Sequence, residues 1–362
     1  MTSIQTRLTE RYGNPYPLTQ AGMAFAGEKP ELALGVDRGG GIGAIGVGFM
    51  PPEELRATIR RLHAEASHPF NINFITCFGN AEQVAVAAEE RAPVVSFHWG
   101  LPPADQVETL KRAGCDIWVQ VGTVESAVEA VNDGADVIIA QGWEAGGHNY
   151  GALGTLALVP AVVDAVGRDA MVLAAGGITD GRGVAASLAL GADGVWCGTR
   201  LLATEEAWVH PEHHRRLLAA QGADTVRSGV FGPEMPDFNP MRLMDVAVTK
   251  EWTHRLAEVP TERDDLEVIG ETVFLGQPHT KRKFDVILPT PDTTGDFEEM
   301  AWLMGQGVGL VRDVRPAADV VRTMMEDAAT ILDRLAAFAS PSVDRSGAAG
   351  RSARIPDPVP AE

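Results

Sequence analysis

Residues 137–148 read Val-Ile-Ile-Ala-Gln-Gly-Trp-Glu-Ala-Gly-Gly-His, and this stretch decides the fold class. Its first four residues are β-branched or small and carry no charge, which is typical of a strand buried on both faces. The next eight include three glycines, an acid and a histidine. Glycine lets the backbone approach a flat ligand closely, and histidine titrates near neutral pH. We therefore expect a ligand-binding loop at the carboxyl end of a buried strand.

Short apolar runs alternate with helical patterns from Pro17 to Ala203, which indicates an α/β fold with a parallel sheet. Eight strands are predicted, at residues 18–21, 42–47, 70–76, 94–99, 116–121, 137–140, 171–175 and 194–197. Helices are predicted between them, among others at 52–66, 81–90, 104–113, 124–132, 155–166 and 182–190. Eight strands with intervening helices match a (β/α)₈ TIM barrel.

The rival architecture is a doubly wound open sheet that binds a dinucleotide. Such a sheet carries Gly-x-Gly-x-x-Gly directly after its first strand. Here the glycine-rich segment at 39–43 precedes a strand, so it is interpreted as a tight turn from helix to strand. The sequence therefore favours the closed barrel.

Composition limits the possible partners. The 362 residues carry a net charge of −19, which argues against nucleic acid or an anionic membrane surface. Three cysteines without metal-type spacing predict reduced thiols and no metal site. The first residues lack the apolar run of a signal peptide, so a cytoplasmic location is expected. The expected partners are a small-molecule substrate, O₂ and, as a homodimer, a second copy of this chain.

The domain division follows from where the alternation stops. Residues 1–204 are predicted to form the barrel, and 205–305 a smaller inserted domain that covers the substrate site. Within that insertion a helix is expected at 241–258, and His213 and His214 are expected on a solvated helix face. Residues 306–340 should return to the barrel wall through a long amphipathic helix at 317–337. Residues 341–362 are predicted to be a disordered tail.

Glycine pairs after the last two predicted strands point to a phosphate site. Gly176 and Gly177 follow the seventh strand, and Gly198 and Thr199 follow the eighth. Phosphate often binds at these two positions of a TIM barrel, where backbone N–H groups and helix N-termini are available. The Thr199 hydroxyl can add a further donor.

These segments resemble the FMN-dependent nitronate monooxygenases, a superfamily that also includes flavin-dependent enoyl-acyl-carrier-protein reductases. The resemblance rests on residues 22–24, 71–73, 141–148, 174–178 and 195–199. It implies that FMN is the cofactor and that His148 is the catalytic residue. It assigns Gly22 and Met23 to the flavin ring. The other cofactor-binding positions that it implies are Asn73, Gln141, Gly146, Gly176, Gly177, Trp196, Cys197, Gly198 and Thr199.

The implied reaction is the oxidation of an alkyl nitronate, such as propionate 3-nitronate, by O₂ to a carbonyl compound and nitrite. Neutral His148 would remove the α-proton of a nitroalkane, or protonated His148 would stabilise nitronate oxygens. His98, Trp143 and Gln120 are weaker candidates for substrate contacts. Gln120 stands where some bacterial members of the family carry a lysine, so it supplies no charge there.

Two alternatives stay open. The first is an NAD(P)H-dependent flavin reductase that acts on enoyl thioesters or quinones. The second is a non-catalytic FMN-binding protein. The Gln-Gly-x-Glu-Ala-Gly-Gly-His pattern does not separate the subfamilies.

Overall fold

The structure is a computed structural model that describes residues 4–262 and 264–339. The predicted disordered tail at 341–362 lies outside the described residues. The fold is an α/β barrel of eight parallel strands surrounded by helices, as predicted.

The strands are as follows: β1 (Leu18–Gln20), β2 (Ala44–Gly46), β3 (Asn71–Ile75), β4 (Val94–His98), β5 (Asp116–Val121), β6 (Val137–Gln141), β7 (Gly147–His148), β8 (Met171–Ala175), β9 (Gly194–Cys197), β10 (Thr225–Ser228), β11 (Met241–Met244), β12 (Val268–Phe274), β13 (Gln277–Arg282) and β14 (Thr294–Gly295).

The α-helices are as follows: α1 (Arg7–Tyr12), α2 (Pro30–Arg38), α3 (Pro52–Glu65), α4 (Ala81–Glu89), α5 (Ala104–Ala113), α6 (Val124–Asn132), α7 (Thr155–Val166), α8 (Gly181–Ala189), α9 (Thr199–Leu202), α10 (Pro211–Ala219), α11 (Ala247–Trp252) and α12 (Ala317–Ala339). Short 3₁₀ turns occur at Thr76–Phe78, Gly222–Asp224, Pro236–Phe238, Leu256–Glu258, Phe297–Glu299 and Gln306–Leu310.

The barrel strands pair in the order β1-β9-β8-β6-β5-β4-β3-β2. Hydrogen bonds between β1 and the residues before β2 close the ring. The Gln20 N–H donates to the Ile42 carbonyl (N···O 2.8 Å), and the Ile42 N–H donates to the Leu18 carbonyl (2.9 Å). The glycine-rich segment at 39–43 joins α2 to β2, which confirms its interpretation as a helix-to-strand turn.

Each barrel strand sends alternate side chains to opposite faces. On β6, Val137 and Ile139 pack in a cluster with Trp118 and Trp196 that fills the barrel interior. Ile138 and Ala140 belong to the larger cluster shared with the surrounding helices. Both faces are therefore apolar, which explains why these strands are near-continuous apolar runs.

Helix α1 closes the amino-terminal end of the barrel. Its Tyr12 packs edge-on against Trp118 in the barrel interior (ring centroids 5.5 Å apart). Arg11 forms a bidentate pair with Asp116 at the start of β5, and Arg7 forms one with Asp193 just before β9. A ligand cavity is therefore expected at the opposite, carboxyl-terminal end.

Helix α12 packs against α2 and α8. The contacts are close: a Cβ atom on Gly181 would lie 2.5 Å from the Cβ of Asp327, and one on Gly39 would lie 2.7 Å from the Cβ of Val321. Two glycines thus let the last helix lie directly on two helices of the barrel.

Two expectations for residues 205–305 were wrong. The predicted helix at 241–258 is a strand (β11), a helix (α11) and a 3₁₀ turn, because residues of β11 pair with β10 and β7. His213 is 3% exposed instead of solvated, since its Nε2 lies 3.0 Å from the Leu303 carbonyl oxygen and its ring packs on Trp302.

No helix among residues 4–262 and 264–339 is long and apolar enough to cross a membrane.

Candidate functional site

A large cavity lies at the carboxyl ends of the barrel strands and encloses about 1540 Å³ of non-protein space, part of it open to solvent. Most of the predicted site residues line it: Gly22, Met23, Asn73, His98, Gln120, Gln141, Gly146, His148, Gly176, Gly177, Trp196, Gly198 and Thr199. The structure thus brings together segments that are up to 177 positions apart in the chain (22 to 199).

Two predicted site residues do not line this cavity, Cys197 and Trp143. Cys197 alternates with Trp196 on β9, so its side chain packs on the helix side. Burial raises the pKa of the Cys197 thiol to about 12. Trp143 instead stacks against two arginines from β10 and β11, at 4.3 Å for Arg227 and 5.6 Å for Arg242 (guanidinium carbon to ring centroid). The arginine contacts hold the Trp143 ring outside the cavity wall, and the strand alternation does the same for the Cys197 side chain.

The cavity wall carries no permanent charge. Among the described residues that line it there is no aspartate, glutamate, lysine or arginine. The amides of Asn73, Gln120 and Gln141, the Thr199 hydroxyl and the rings of three histidines supply side-chain polarity. Any ligand charge must therefore be balanced by hydrogen-bond donors and by the histidines.

Backbone donors gather at one part of this wall. The N–H groups of Gly146, Gly177, Gly198 and Thr199 donate to no backbone carbonyl of the described residues. The Thr199 hydroxyl accepts from the Gly305 N–H (N···O 2.9 Å), so its own hydrogen is available for a ligand. Such a group of N–H and O–H donors near the start of α9 is suited to an anion.

Glycines are required where segments of this wall approach each other. A Cβ atom on Gly146 would lie 2.5 Å from the Gly305 nitrogen, and one on Gly22 would lie 2.1 Å from the Asn73 Cγ. Gly177 has a φ of +73°, which a residue with a side chain rarely adopts. The close approach lets the segment after Met304 join the cavity wall.

His148 lies on β7, which pairs with β11, with His148 opposite Met241. The Gln141 amide donates to the His148 carbonyl (N···O 3.2 Å) and so ties the strand to the barrel. The imidazole stacks on Phe238 with ring centroids 3.5 Å apart. Its buried Nδ1 has no hydrogen-bond partner among the described residues. A buried polar atom without a partner is uncommon in proteins, which makes this nitrogen a candidate contact for a ligand.

Electrostatics hold His148 neutral. Burial, and then the proximity of His98, lower the pKa of His148 to about 3. Burial likewise lowers the pKa of His98 to about 4. The two imidazoles are therefore uncharged at neutral pH, each with one donor and one acceptor.

Gln120 orients His98. The Gln120 amide nitrogen lies 2.6 Å from the His98 Nδ1. If the amide donates, Nδ1 is the acceptor and the hydrogen of the neutral ring is on Nε2. The pair forms a neutral polar group beside His148. A lysine at position 120 would have placed a cation there.

Glu144 fixes the loop instead of reaching the cavity. Its carboxylate accepts from the Thr155 N–H (2.8 Å) and from the Thr155 hydroxyl (3.0 Å) at the start of α7. The arrangement stabilises the turn that carries Ala145 and Gly146.

Two site residues were missed from the sequence, His213 and Phe238, whereas Trp99 follows His98 at a strand end that was expected to face the site. His213 and Phe238 line the cavity from the segment after the barrel. Trp99 packs edge-on against His148, with ring centroids 5.8 Å apart, and its φ of +71° is rare for a bulky residue. The only sequence signal was the position of Trp99 just after His98 at a strand end.

A (β/α)₈ barrel with histidines in an uncharged cavity at the carboxyl ends of its strands defines a barrel enzyme. The nitronate monooxygenase family model matches residues 75–327, so the chain belongs to that family. It is a flavin-dependent oxidoreductase of this type, as its relatives show.

Curated relatives give the same family. The chain is 33% identical over 257 residues to a probable nitronate monooxygenase of Bacillus subtilis, covering 59% of this chain and 74% of that protein. It is 29% identical over 368 residues to the nitronate monooxygenase of Pseudomonas aeruginosa, covering 89% and 98%. It is also 36% identical over 229 residues to an octahydro-indene-carboxyl-CoA dehydrogenase of Rhodococcus jostii, covering 63% and 64%.

Solved structures agree with the fold. FabK from Thermotoga maritima aligns with a TM-score of 0.75 at 30% identity, over 93% of this chain and 100% of FabK. Nitroalkane oxidase from Streptomyces ansochromogenes aligns with a TM-score of 0.74 at 28% identity, over 91% and 99%. The similarity therefore extends beyond the barrel to nearly the whole described chain.

Proposed function

We propose that this protein is an FMN-dependent enzyme that oxidises an alkyl nitronate with O₂ and releases a carbonyl compound and nitrite. The observation that carries the proposal is a neutral His148 with an unpartnered ring nitrogen, in a large cavity whose wall has no permanent charge. An anion in such a cavity would be the main local charge, and the hydrogen-bond donors of the wall, not a fixed cation, would stabilise it.

The residues fit FMN. The donors at Gly146, Gly177, Gly198 and Thr199 suit a phosphate dianion, and the apolar walls near Met23 suit a planar ring. The amides of Asn73 and Gln141 suit the polar ribityl chain and ring edge. When bound, the flavin would supply the transfer of electrons from the nitronate to O₂.

The low pKa of His148 favours a nitronate over a neutral nitroalkane as the substrate. A base with a pKa of about 3 is a weak acceptor for the α-proton of a nitroalkane. A nitronate has already lost that proton, so it needs no strong base. In the tautomer that carries its hydrogen on the unpartnered Nδ1, the neutral His148 imidazole instead offers an N–H donor to a nitronate oxygen.

We further propose that residues 205–305 act as a cover over the barrel mouth. Met235, Phe238 and Met241 line the cavity from this region, together with Val286 and Leu288. Their apolar side chains would exclude water from the reacting anion, which strengthens its hydrogen bonds to the chain. A homodimer stays a prediction.

A second candidate is the reduction of an enoyl thioester or a quinone by NAD(P)H, or the reverse reaction, in which a thioester is dehydrogenated and an oxidised acceptor takes up its electrons. Two relatives favour it: the Rhodococcus jostii protein, which is named as a carboxyl-CoA dehydrogenase, and FabK, whose fold matches over nearly its whole length. The cavity is large enough in volume to admit more than a small nitronate.

Anaerobic reduction separates these candidates. The purified protein, loaded with FMN, is mixed without O₂ with propionate 3-nitronate, NADH or NADPH, and bleaching of the flavin is followed. We expect rapid bleaching by the nitronate and slow or no bleaching by the nicotinamides. Rapid bleaching by NADH or NADPH alone would contradict the proposal and support the reductase. Admission of O₂ with the nitronate should then release nitrite.

A further inference from the structure

A second cavity adjoins the first at the barrel mouth and encloses about 840 Å³, part of it open to solvent. The loops that follow β1 and β2 form one side, and the tip of the β12–β13 hairpin forms the other. Five residues line both cavities: Ala24, Phe25, Gly48, Phe49 and Trp208. The two spaces therefore share one wall and are placed to hold two parts of one ligand.

Aromatic rings form much of this shared wall. Phe274 from the hairpin lies 5.4 Å from Phe49 and 6.1 Å from Phe25 (ring centroids). Phe25 has a φ of +64°, which is uncommon for an aromatic residue. Strained backbone of this kind tends to occur at ligand-binding sites. These rings thus line the boundary where the cavity that contains His148 meets the second cavity.

Apolar side chains around the second cavity are unusually exposed. The exposed fraction is 37% for Phe49 and for Trp208, 45% for Val273 and 54% for Leu275. Four exposed large apolar groups around one concave surface indicate an apolar ligand, because isolated exposed apolar residues do not converge in this way.

The charges of the second cavity differ from those of the first. Glu28, Glu54 and Asp292 line it, with Lys29 as the only cation among its described lining residues. The Lys29 ammonium lies 3.9 Å from the Glu54 carboxylate, so it is already partly neutralised. An anionic group would be repelled here, whereas a neutral or cationic group would be accepted.

We propose that the second cavity binds the distal part of an elongated substrate, namely an alkyl chain that ends in a neutral or cationic group. The inference rests on the proposed function, because it places the reacting nitronate of the same molecule beside His148. The substrate would then be larger than propionate 3-nitronate and would not carry its carboxylate at the far end.

A chain-length series tests the inference. Nitrite release is measured with the nitronates of nitroethane, 1-nitrobutane, 1-nitrohexane and 1-nitrooctane. We expect kcat/KM to rise about two- to fourfold for each added methylene group that becomes buried. The variant Val273→Trp fills the second cavity, so it should abolish this rise and leave the rate with nitroethane within twofold.

The matched control is Val128→Trp, at an exposed position on α6 (39% exposed) that lines neither cavity. It should keep the full dependence on chain length. A flat series in the parent protein, or an equal loss with all substrates in Val273→Trp, would overturn the inference.

Binding without turnover separates this inference from the proposed reaction. Isothermal titration calorimetry of the FMN-loaded protein is performed with octylammonium and with octanoate. We expect octylammonium to bind at least tenfold more tightly than octanoate, and Val273→Trp to remove that binding. If nitronates are not oxidised but octylammonium still binds more tightly than octanoate, the proposed reaction is wrong and the inference about the second cavity is kept. Tighter binding of octanoate would refute the assigned charge preference.

Discussion

The guanidinium of Arg242 donates two hydrogen bonds to the carbonyl oxygen of Trp143, from Nε at 3.2 Å and from Nη2 at 3.0 Å. Arg227 makes the corresponding pair to the Asn149 carbonyl, at 3.2 and 2.6 Å. The two acceptors flank the loop that carries His148. Arg227 of β10 and Arg242 of β11 therefore hold that loop at both ends. Both guanidinium groups also pack on the Trp143 ring.

Replacement of Arg242 should misplace His148. In Arg242→Lys the charge is kept but the two-pronged contact is lost, so we expect a 10- to 100-fold lower kcat with the flavin retained. Arg242→Met should in addition reduce the free energy of unfolding by about 2 kcal/mol. Steady-state kinetics and urea denaturation measure the two effects. Arg255→Ala, which removes a surface pair with Glu258, is the control. An unchanged kcat in Arg242→Lys would show that the loop needs no such clamp.

His148 itself should be needed for turnover and not for flavin binding. We expect His148→Ala to lower kcat/KM for nitronates by about 10²- to 10³-fold, because a donor to the reacting anion is lost. The flavin content of the purified variant, read from its absorbance, should match that of the parent. His63→Gln, at an exposed position on α3, is the control. Full activity in His148→Ala would show that the reaction does not need His148.

A side chain at Gly198 should weaken the binding of FMN. A Cβ atom there would meet only Ala21 at 3.5 Å and Met23 at 3.8 Å, and so would project into the cavity without a clash. We expect Gly198→Ala to raise the Kd for FMN about tenfold, the equivalent of one hydrogen bond of about 1.4 kcal/mol. Fluorescence titration measures the Kd.

Gly229→Ala is the matched control, since its added Cβ would also make only ordinary contacts, the nearest at 3.6 Å, and lies outside the cavity wall. It should leave both the Kd and the midpoint of thermal unfolding unchanged. If Gly198→Ala binds FMN as tightly as the parent does, the phosphate does not lie at this turn.

The buried histidines should make the protein less stable at acid pH. Burial lowers the pKa of His98 and His213 to about 4 and that of His148 to about 3, whereas unfolded histidine titrates near 6.5. Below pH 6.5 the unfolded state therefore binds more protons. The free energy of unfolding should fall as the pH drops from 6.5 towards 4, by up to about 1.4 kcal/mol per pH unit for each histidine.

Urea denaturation at a series of pH values measures this slope. His213→Gln keeps a donor for the Leu303 carbonyl and removes one titrating group, so its slope should be shallower by about one histidine. Between pH 7.5 and 9 the histidines should contribute no slope. Equal slopes in the parent and in His213→Gln would mean that His213 is not buried in its neutral form.

The barrel strands could be predicted closely because their signal is local. The strands at Asp116–Val121, Met171–Ala175 and Gly194–Cys197 have the predicted bounds, since each is an apolar run beside a glycine or a charged residue. The glycines after the last two of them line the cavity, at the part where we propose that a phosphate binds. These features depend on neighbouring residues, so the sequence displays them directly.

The rest of the site depends on contacts between distant segments. β11 was mistaken for a helix because its strand pairing comes from β10 and from β7, about 95 residues earlier (241 against 147). The burial of His213 depends on Trp302 and Leu303, and the position of Trp143 depends on arginines at 227 and 242. No pattern around His213 or Trp143 reports such partners.

The absence of fixed ions from the described wall of the main cavity has a thermodynamic consequence. Any full charge inside this cavity is brought by the ligand. A bound anion would favour the protonated form of the nearest histidine ring. Occupancy and proton uptake are thereby linked, so the heat of association should vary with the ionisation enthalpy of the buffer. The number of protons taken up with each bound anion would therefore report how far the anion raises the pKa of His148.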